Sequence, residues 1–356
     1  MHHRNPLVHL LAPLLALQCL VAIVHAAEPG VEPVMLDVGL VIFDPGIPAD
    51  KSTHSKSGIF PEIRKSEAKY MPVMLRRVLV ASGNWGVVRV LPEPLESSEL
   101  LVRGRIVHSD GQRLALHIKA SDATGRVWLD TNYAAATLAG DYPVSVDGDP
   151  YLGLYQQIAA DLYAVRKQQT QKRLQQIREV AFMRYAANLA PDAFSSYLGY
   201  SEEGVYTLSR LPAEGDPMIA RVNSVRNQEY LFIDTVDEQY ARLSEDMATT
   251  YHLWRQYDRE QALFRQGYKQ RVEDRDSGGR RGSYAAMEQT YNAYKWSKIH
   301  VQDLDELAQG FNNEVTPTVM EVSGQVFRLS GTLDSQYAEW RDILQRIFAL
   351  EMGLTP

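Results

Sequence analysis

Histidines and carboxylates are the side chains of this 356-residue chain that could carry acid–base or metal chemistry. His108 and His117 flank one predicted hairpin and could face each other across it, but a zinc site needs further ligands nearby. Asp147-Gly148-Asp149 is similar to the start of a calcium loop, yet the EF-hand spacing and its closing Glu are missing. We therefore expect two solvent-facing histidines, and at Asp149 a helix cap before Pro150.

The sequence motifs of the common enzyme classes are missing from the chain. It has no His-Glu-x-x-His, no Gly-x-Ser-x-Gly, no Walker loop and no Gly-x-Gly-x-x-Gly. Its single cysteine, Cys19, cannot form an intramolecular disulfide. The sequence therefore predicts no catalytic residue, no cofactor and no metal site, although two of its carboxylates could still meet in space as an acid pair.

A stripe of tyrosine and tryptophan runs through the last third of the chain. Such residues dominate binding hot spots, but at helical spacing they also fill cores. Tyr251 and Trp296 lie off the helical seam described below and are our candidates for contact with a partner. The stripe consists of Tyr240, Tyr251, Trp254, Tyr257, Tyr268, Tyr284, Tyr291, Tyr294 and Trp296.

Two short basic clusters are candidates for contact with anionic lipid or cell-wall polymer. One is the run 166–173, for which a solvated helix face is the more ordinary interpretation. The other is the Gly-rich segment 273–282, where Arg280 and Arg281 are further candidates for partner contact. The net charge of −7 argues against a nucleic-acid-binding protein.

The N-terminal segment has the composition of a secretory leader. Arg4 precedes an apolar run from Leu7 to Val24, and Val24-His25-Ala26 fits the small-x-small cleavage rule. We expect cleavage after Ala26 and a periplasmic protein without disulfides. An uncleaved membrane anchor is the alternative. A lipoprotein is disfavoured because Gln18 stands where such signals carry a small residue before the cysteine.

Residues 34–146 have the pattern of a small α/β domain. Alternating apolar residues predict strands near 34–43, 85–91, 100–108, 114–121 and 126–134, with a helix over 60–81 that Pro72 kinks or breaks. Asp110-Gly111 between two alternating runs predicts a tight hairpin. The predicted order is β-α-β-β-β, which gives a sheet with a helix on one face.

This order, with the segments LLVRGRI and DATGRVW, resembles the N-terminal α/β domains of bacterial envelope accessory proteins. These are the curli-export lipoprotein, the flagellar outer-membrane accessory proteins and the TolB N-terminal domain. The resemblance covers residues 34–135 and implies a role in envelope assembly. It carries no catalytic residue, and the lipid-anchoring cysteine of the lipoprotein members has no counterpart here.

The remainder is predicted to be helical, with a linker region over 151–230 and a long-helix bundle over 234–352. Three consecutive segments keep a seven-residue period, which is typical of supercoiled helices. We call the first of these sets the heptad seam. It consists of Val236, Tyr240, Leu243, Met247, Thr250, Trp254, Tyr257, Gln261, Phe264 and Tyr268. The second set begins with Tyr284, Met287, Tyr291 and Tyr294, and the third runs from Val315 to Leu350 and includes Val326.

Taken together, these patterns predict an α+β protein: a small β-α-β-β-β domain followed by an antiparallel long-helix bundle or coiled-coil hairpin. The functional hypothesis is an exported, non-enzymatic periplasmic protein. It would bind an envelope protein, or a second copy of itself, during envelope or surface-appendage assembly. Two alternatives remain open: an envelope hydrolase acting on glycan or peptide through unlocated carboxylates, and a sensor that binds a small ligand.

Overall fold

In a computed structural model of the chain, the structure describes residues 33–54, 59–95, 97–145, 148–213, 215–277, 308–309 and 316–353. The described strands are β1 (Val38–Val41), β2 (Val88–Leu91), β3 (Leu100–Ser109), β4 (Arg113–Asp122), β5 (Val127–Ala136), β6 (Leu198–Tyr200), β7 (Tyr206–Leu208), β8 (Thr318–Val322) and β9 (Gln325–Leu329). The helices are α1 (Pro61–Ala81), α2 (Leu152–Lys167), α3 (Gln171–Leu189), α4 (Pro191–Phe194), α5 (Pro217–Ser277) and α6 (Leu333–Glu351). The predicted leader and Cys19 lie outside the described residues.

The first five strands form one mixed sheet in the order β2-β1-β3-β4-β5. β1 runs parallel to both β2 and β3, because α1 carries the chain back across the sheet between β1 and β2. β3, β4 and β5 form an antiparallel meander. The predicted order is confirmed, but α1 continues through Pro72, so the predicted break is wrong.

The predicted basic run 166–173 contains the junction of α2 and α3. Thr170 caps α3 by accepting a hydrogen bond from the Arg173 N–H. Both arginines of the run are half-buried and donate hydrogen bonds to the sheet domain. Arg173 donates to the Thr124 hydroxyl at 2.7 Å, and Arg166 donates to the Val34 carbonyl at 3.2 Å. The other residues of the run are mostly exposed, so the expected solvated stretch is confirmed for Lys167, Gln168, Thr170, Gln171 and Lys172.

Helix α5 contains 61 residues, which corresponds to about 90 Å at the rise of an α-helix. It packs across β2, α1 and α6. Its buried stripe includes several polar side chains, namely Asp237, Ser244, His252, Arg255 and Asp258. Much of the heptad seam lies beside this stripe and is only half-buried, including Leu243, Met247 and Thr250. The helix thus has two adjacent stripes, one packed on the sheet domain and one apolar.

The long α-helix expected over the last heptad segment is wrong between residues 318 and 329. This segment forms the antiparallel hairpin β8–β9, and α6 begins only at Leu333. Ser323 and Gly324 both have positive φ, which is the backbone of a two-residue hairpin turn. Apolar spacing alone does not separate the two structures, since Val322, Val326 and Leu329 fit a helical stripe as well as a strand pair.

One hydrophobic core is shared by the sheet, the helices and the β8–β9 hairpin. It contains Val102 of β3, Ile177 of α3, Val236 of α5 and Trp340 of α6. Trp340 and Tyr337 stack on Phe232, so that α6 is fixed on the first half of α5. No helix within the described part of the chain is long and apolar enough to span a bilayer.

The β8–β9 hairpin predicts opposite outcomes for two similar substitutions. Leu329 is fully buried, so Leu329→Asp places a charge in the core and should lower the free energy of unfolding by about 3 kcal/mol or more. Val326 is 68% exposed, so Val326→Asp should change it by no more than about 0.5 kcal/mol. Urea denaturation of both variants measures the difference. Equal destabilisation would contradict the strand assignment.

Candidate functional site

The partner-contact candidates derived from the sequence have different outcomes. Tyr251 is buried, and its hydroxyl donates to Glu67 Oε1 of α1 at 2.7 Å. Its ring is therefore a packing group, and its assignment as an interface residue is corrected. The reason is that Tyr251 lies on the stripe beside the heptad seam, and the sheet domain covers this stripe. Its partner Glu67 is 184 positions away in the chain. Trp296, Arg280 and Arg281 lie outside the described residues.

The two histidines of the β3–β4 hairpin do not meet. His117 lies opposite Arg105 and contacts Asp130 of β5 at 2.9 Å, whereas His108 contacts Asp110 at 2.8 Å. Each histidine therefore has its own carboxylate. No group of three or more His, Cys, Asp or Glu side chains within the described ranges could hold a metal ion.

Several ionisable side chains surround Arg255 of α5, which is fully buried. Its Nη1 donates to Asp149 Oδ2 at 3.1 Å, and the Asp149 side chain is itself 4% exposed. The guanidinium carbon lies 4.3 Å from the ring centre of Tyr251 and 4.9 Å from that of Tyr151. Tyr70 stands farther off, at 5.7 Å. We refer to these five residues as the Arg255 cluster.

A second buried ion pair adjoins this cluster. Arg64 and Glu67 of α1 contact each other at 3.1 Å, with side chains 5% and 1% exposed. Glu67 also accepts hydrogen bonds from Ser109 of β3 and from Tyr251. One carboxylate therefore connects α1, the sheet and α5. Every charge in this pair and in the Arg255–Asp149 pair faces an opposite charge, which is the condition for burying it.

Burial shifts the titration of the groups around Arg255. It raises the pKa of the Tyr251 and Tyr70 hydroxyls well above their usual value, so both stay protonated. Burial, together with the nearby Arg255 charge, lowers the pKa of His252, whose Nε2 lies 3.3 Å from the Tyr70 hydroxyl. None of these shifts prepares a proton donor or acceptor at an open surface, so we interpret the cluster as a structural contact.

The backbone at the β3–β4 turn explains how Arg255 comes to lie so deep. Gly111 has φ +68°, and a Cβ atom there would lie 2.1 Å from the Arg255 carbonyl oxygen. Only glycine allows this turn to pack directly against the backbone of α5. Asp149 accepts the Tyr151 N–H at 2.7 Å in the turn before α2. The N-cap residue of α2 is Tyr151 and no side chain caps the helix, so the expected capping role of Asp149 is wrong.

An open cleft, which we call the junction cleft, shares no lining residue with the Arg255 cluster. Its volume is about 570 Å³, and it is bounded by the loop after β2, the C-terminal half of α3, the β6–β7 hairpin and α6. Its described charged lining residues are Arg184 and Arg341. Arg184 lies 4.3 Å above the ring of Tyr206, and Arg341 contacts the buried Glu229 at 3.4 Å. No described lining residue is His, Asp, Glu or Lys.

The sequence interpretation missed both features. The Arg255 cluster joins residues far apart in the chain, and Arg255 falls in the heptad pattern as an ordinary exposed helix residue. The junction cleft takes its lining from four separate segments, and the one that contains β6 and β7 lies in the region 151–230, for which the sequence predicts only a helical linker. Tyr200 and Tyr206, on either side of a Gly-containing turn, were the available signal for this hairpin.

No protein-family model, curated protein or solved structure matches the chain.

The Arg255–Asp149 pair predicts a large effect of removing one partner alone. Arg255→Met leaves Asp149 buried without its partner and should lower the free energy of unfolding by about 3–5 kcal/mol. Asp149→Asn added to that variant should restore part of the loss, because no unpaired charge remains. Arg242→Met, which breaks the exposed Arg242–Glu238 pair, is the control and should cost less than about 1 kcal/mol. If denaturant melts gave Arg255→Met and Arg242→Met the same free energy of unfolding, the assignment of a buried ion pair would be contradicted.

Proposed function

We propose that the protein is a non-enzymatic binding protein of the bacterial cell envelope that engages a protein partner during envelope or surface-appendage assembly. One observation carries this. The ionisable residues around Arg255 are buried and paired with one another, whereas the described polar residues that line the open cleft are arginine, tyrosine, serine and asparagine, beside apolar ones. Such a lining suits recognition and offers no acid–base pair for a reaction.

Two further features support the envelope assignment. The leader composition of residues 1–26 favours export, and a chain with no cysteine beyond Cys19 suits a periplasmic protein with a core large enough to need no disulfide. The second feature is the resemblance of residues 34–135 to envelope accessory proteins, which rests on their β-α-β-β-β order and on the segments LLVRGRI and DATGRVW. Binding of a small ligand is the second candidate, since the cleft volume lies in the range of small-molecule pockets.

Photo-crosslinking in cells tests the partner-binding function. Tyr200 is 67% exposed and lines the junction cleft, whereas Leu138 is 73% exposed and is not among the cleft lining. Benzoylphenylalanine at position 200 should give a discrete adduct with an envelope protein, and the same group at position 138 should not. The shift from precursor to processed chain in the same samples reports export. Equal labelling at both positions, or an unprocessed chain in the cytosol, would contradict the proposal.

We also propose that the chain after α5 returns antiparallel along the heptad seam as a coiled-coil hairpin. A reversal at residues 277–278 would pair Phe264 with Tyr291 and Met247 with Ala308. In support of this register, Ala308 is buried and lines one small cavity together with Met247 and Trp254. Leu243, Met247 and Thr250 of the seam are half-buried, so a helix laid along them would complete their burial.

Disulfide trapping tests this register. With Cys19 changed to Ser, Phe264→Cys combined with Tyr291→Cys should form an intramolecular disulfide under mild oxidation, because facing seam positions bring Cβ atoms within bonding range. Phe264→Cys with Ala293→Cys is the control, since position 293 lies on the opposite side of the same predicted helix. Non-reducing electrophoresis and peptide mapping detect the bond. Equal trapping of both pairs, or of neither, would overturn the hairpin.

A further inference from the structure

Strand β5 forms one edge of the five-stranded sheet, and β2 forms the other. The β2 edge is covered by α5, whose Asp237 accepts the Val90 N–H at 2.8 Å. The edge of β5 lacks the usual protection against pairing with another strand, which is a proline, a lysine or a bulge. Residues 130–136 contain no proline and no lysine, and the register shift of β5 lies before them, between Val127 and Leu129.

The hydrogen bonds between β4 and β5 show which backbone groups face outward. Thr137 N–H donates to the Gln112 carbonyl at 2.8 Å, so these two residues form a bonded pair. Bonded and non-bonded pairs alternate along an antiparallel ladder, so Ala135, Tyr133 and Thr131 are also bonded to β4. The residues between them direct their N–H and C=O groups away from β4. We call these the outward residues, and they are Asp130, Asn132, Ala134 and Ala136.

The outward residues have no backbone hydrogen-bond partner within the described part of the chain. Their N–H groups donate to no described acceptor, and no described N–H donates to their carbonyl oxygens. All four are exposed. The carboxylate of Asp130 contacts His117 and Lys119 of β4, so it is held on its own sheet. The edge is therefore open to another strand over seven residues.

This edge is complementary to itself. The outward residues are spaced evenly about Tyr133, so two copies related by a two-fold axis at Tyr133 can pair antiparallel. Asp130 then lies opposite Ala136 of the second copy, and Asn132 lies opposite Ala134. Each of these pairs occurs twice and contributes two main-chain hydrogen bonds. No like charges face each other, because Asp130 is the single charged residue of β5.

We propose that the protein forms a two-fold symmetric dimer in which β5 pairs antiparallel with β5 of a second copy. The second copy is the occupant because the outward groups and the one charge match across the two-fold axis. Helix α2, which packs on β5, adds to the contact. Its exposed side carries Gly153, Ala160 and Ala164, whose small size lets two such helices approach closely. This inference goes beyond the proposed function and does not depend on it.

Sedimentation equilibrium of the purified protein tests the dimer. The unmodified protein should reach the mass of two chains at micromolar concentration. Ala134→Pro removes an outward N–H from each copy without removing a bond to β4, whereas Ala134→Val keeps the N–H. Ala134→Pro should raise the dimer Kd at least about tenfold relative to Ala134→Val. A monomer at every concentration, or equal Kd values for two well-folded variants, would overturn the proposal.

Two double variants at the same positions test the register. Asn132→Lys with Ala134→Lys places lysine opposite lysine across the axis, whereas Asn132→Glu with Ala134→Lys places glutamate opposite lysine. The first should dissociate the dimer and the second should keep it, with a difference that shrinks as salt is added. Circular dichroism verifies the fold of each variant. Equal dissociation of the two would refute the pairing. If Ala134→Pro lowers the melting temperature, these double variants decide the question alone.

The outcomes separate the dimer from the proposed function. A monomeric protein that still captures an envelope protein through position 200 would keep the partner-binding function and lose the dimer. A dimer that responds to the β5 variants, without such a capture, would keep the dimer and lose that function. A self-association unchanged by every β5 variant would use another surface, which refutes the dimer proposed here. Benzoylphenylalanine at position 138, two residues beyond β5, should give an adduct of two copies, and this adduct counts for the dimer alone.

Discussion

A positive charge with no access to water, on Arg255, constrains how the long helix meets the rest of the protein. Burying a charge is unfavourable unless an opposite charge and polarisable groups replace its hydration. Asp149 provides the charge at 3.1 Å, and the rings of Tyr251 and Tyr151 lie against the guanidinium. Because Asp149 precedes α2, helix α5 cannot rotate or slide without leaving both charges buried and unpaired.

The same constraint explains why the buried stripe of α5 is polar where helix stripes are usually apolar. Asp237 accepts the Val90 N–H at 2.8 Å and pairs with Arg76 at 2.7 Å, so the helix provides polar partners for the edge strand β2. Burial is the main cause that raises the pKa of Asp237, while these contacts favour its ionised form. A helix that satisfies a sheet edge must place carboxylates on its buried face. The apolar seam beside these carboxylates is buried at Val236, Tyr240 and Trp254 and half-buried between them.

Two edge strands of the described sheets, β2 and β6, have different surroundings. The edge of β2 is covered by α5 and its acidic side chains, which prevents pairing with other chains. The edge of β6 is bordered by a cleft of about 570 Å³ whose described charges are positive. Helix α6, which lines the cleft through Arg341, is anchored through Tyr337, whose hydroxyl donates to the buried Glu229 at 2.7 Å.

The sequence by itself determined the elements whose signals are local. Alternation and the Asp110-Gly111 turn predicted the β-α-β-β-β order, and the seven-residue period predicted a long helix that α5 confirms. The sequence prediction failed at β8–β9, because a spacing of three and four residues does not distinguish a helix from a short strand pair. The deciding feature was the turn at Ser323-Gly324, where both residues have positive φ. Only the tertiary structure decided which polar residues are buried. Arg255 pairs with Asp149, 106 positions away, and Tyr251 with Glu67, 184 positions away. The periodicity of one segment contains no information about a partner residue in a distant segment. The junction cleft follows the same rule, because its lining comes from four separate parts of the chain.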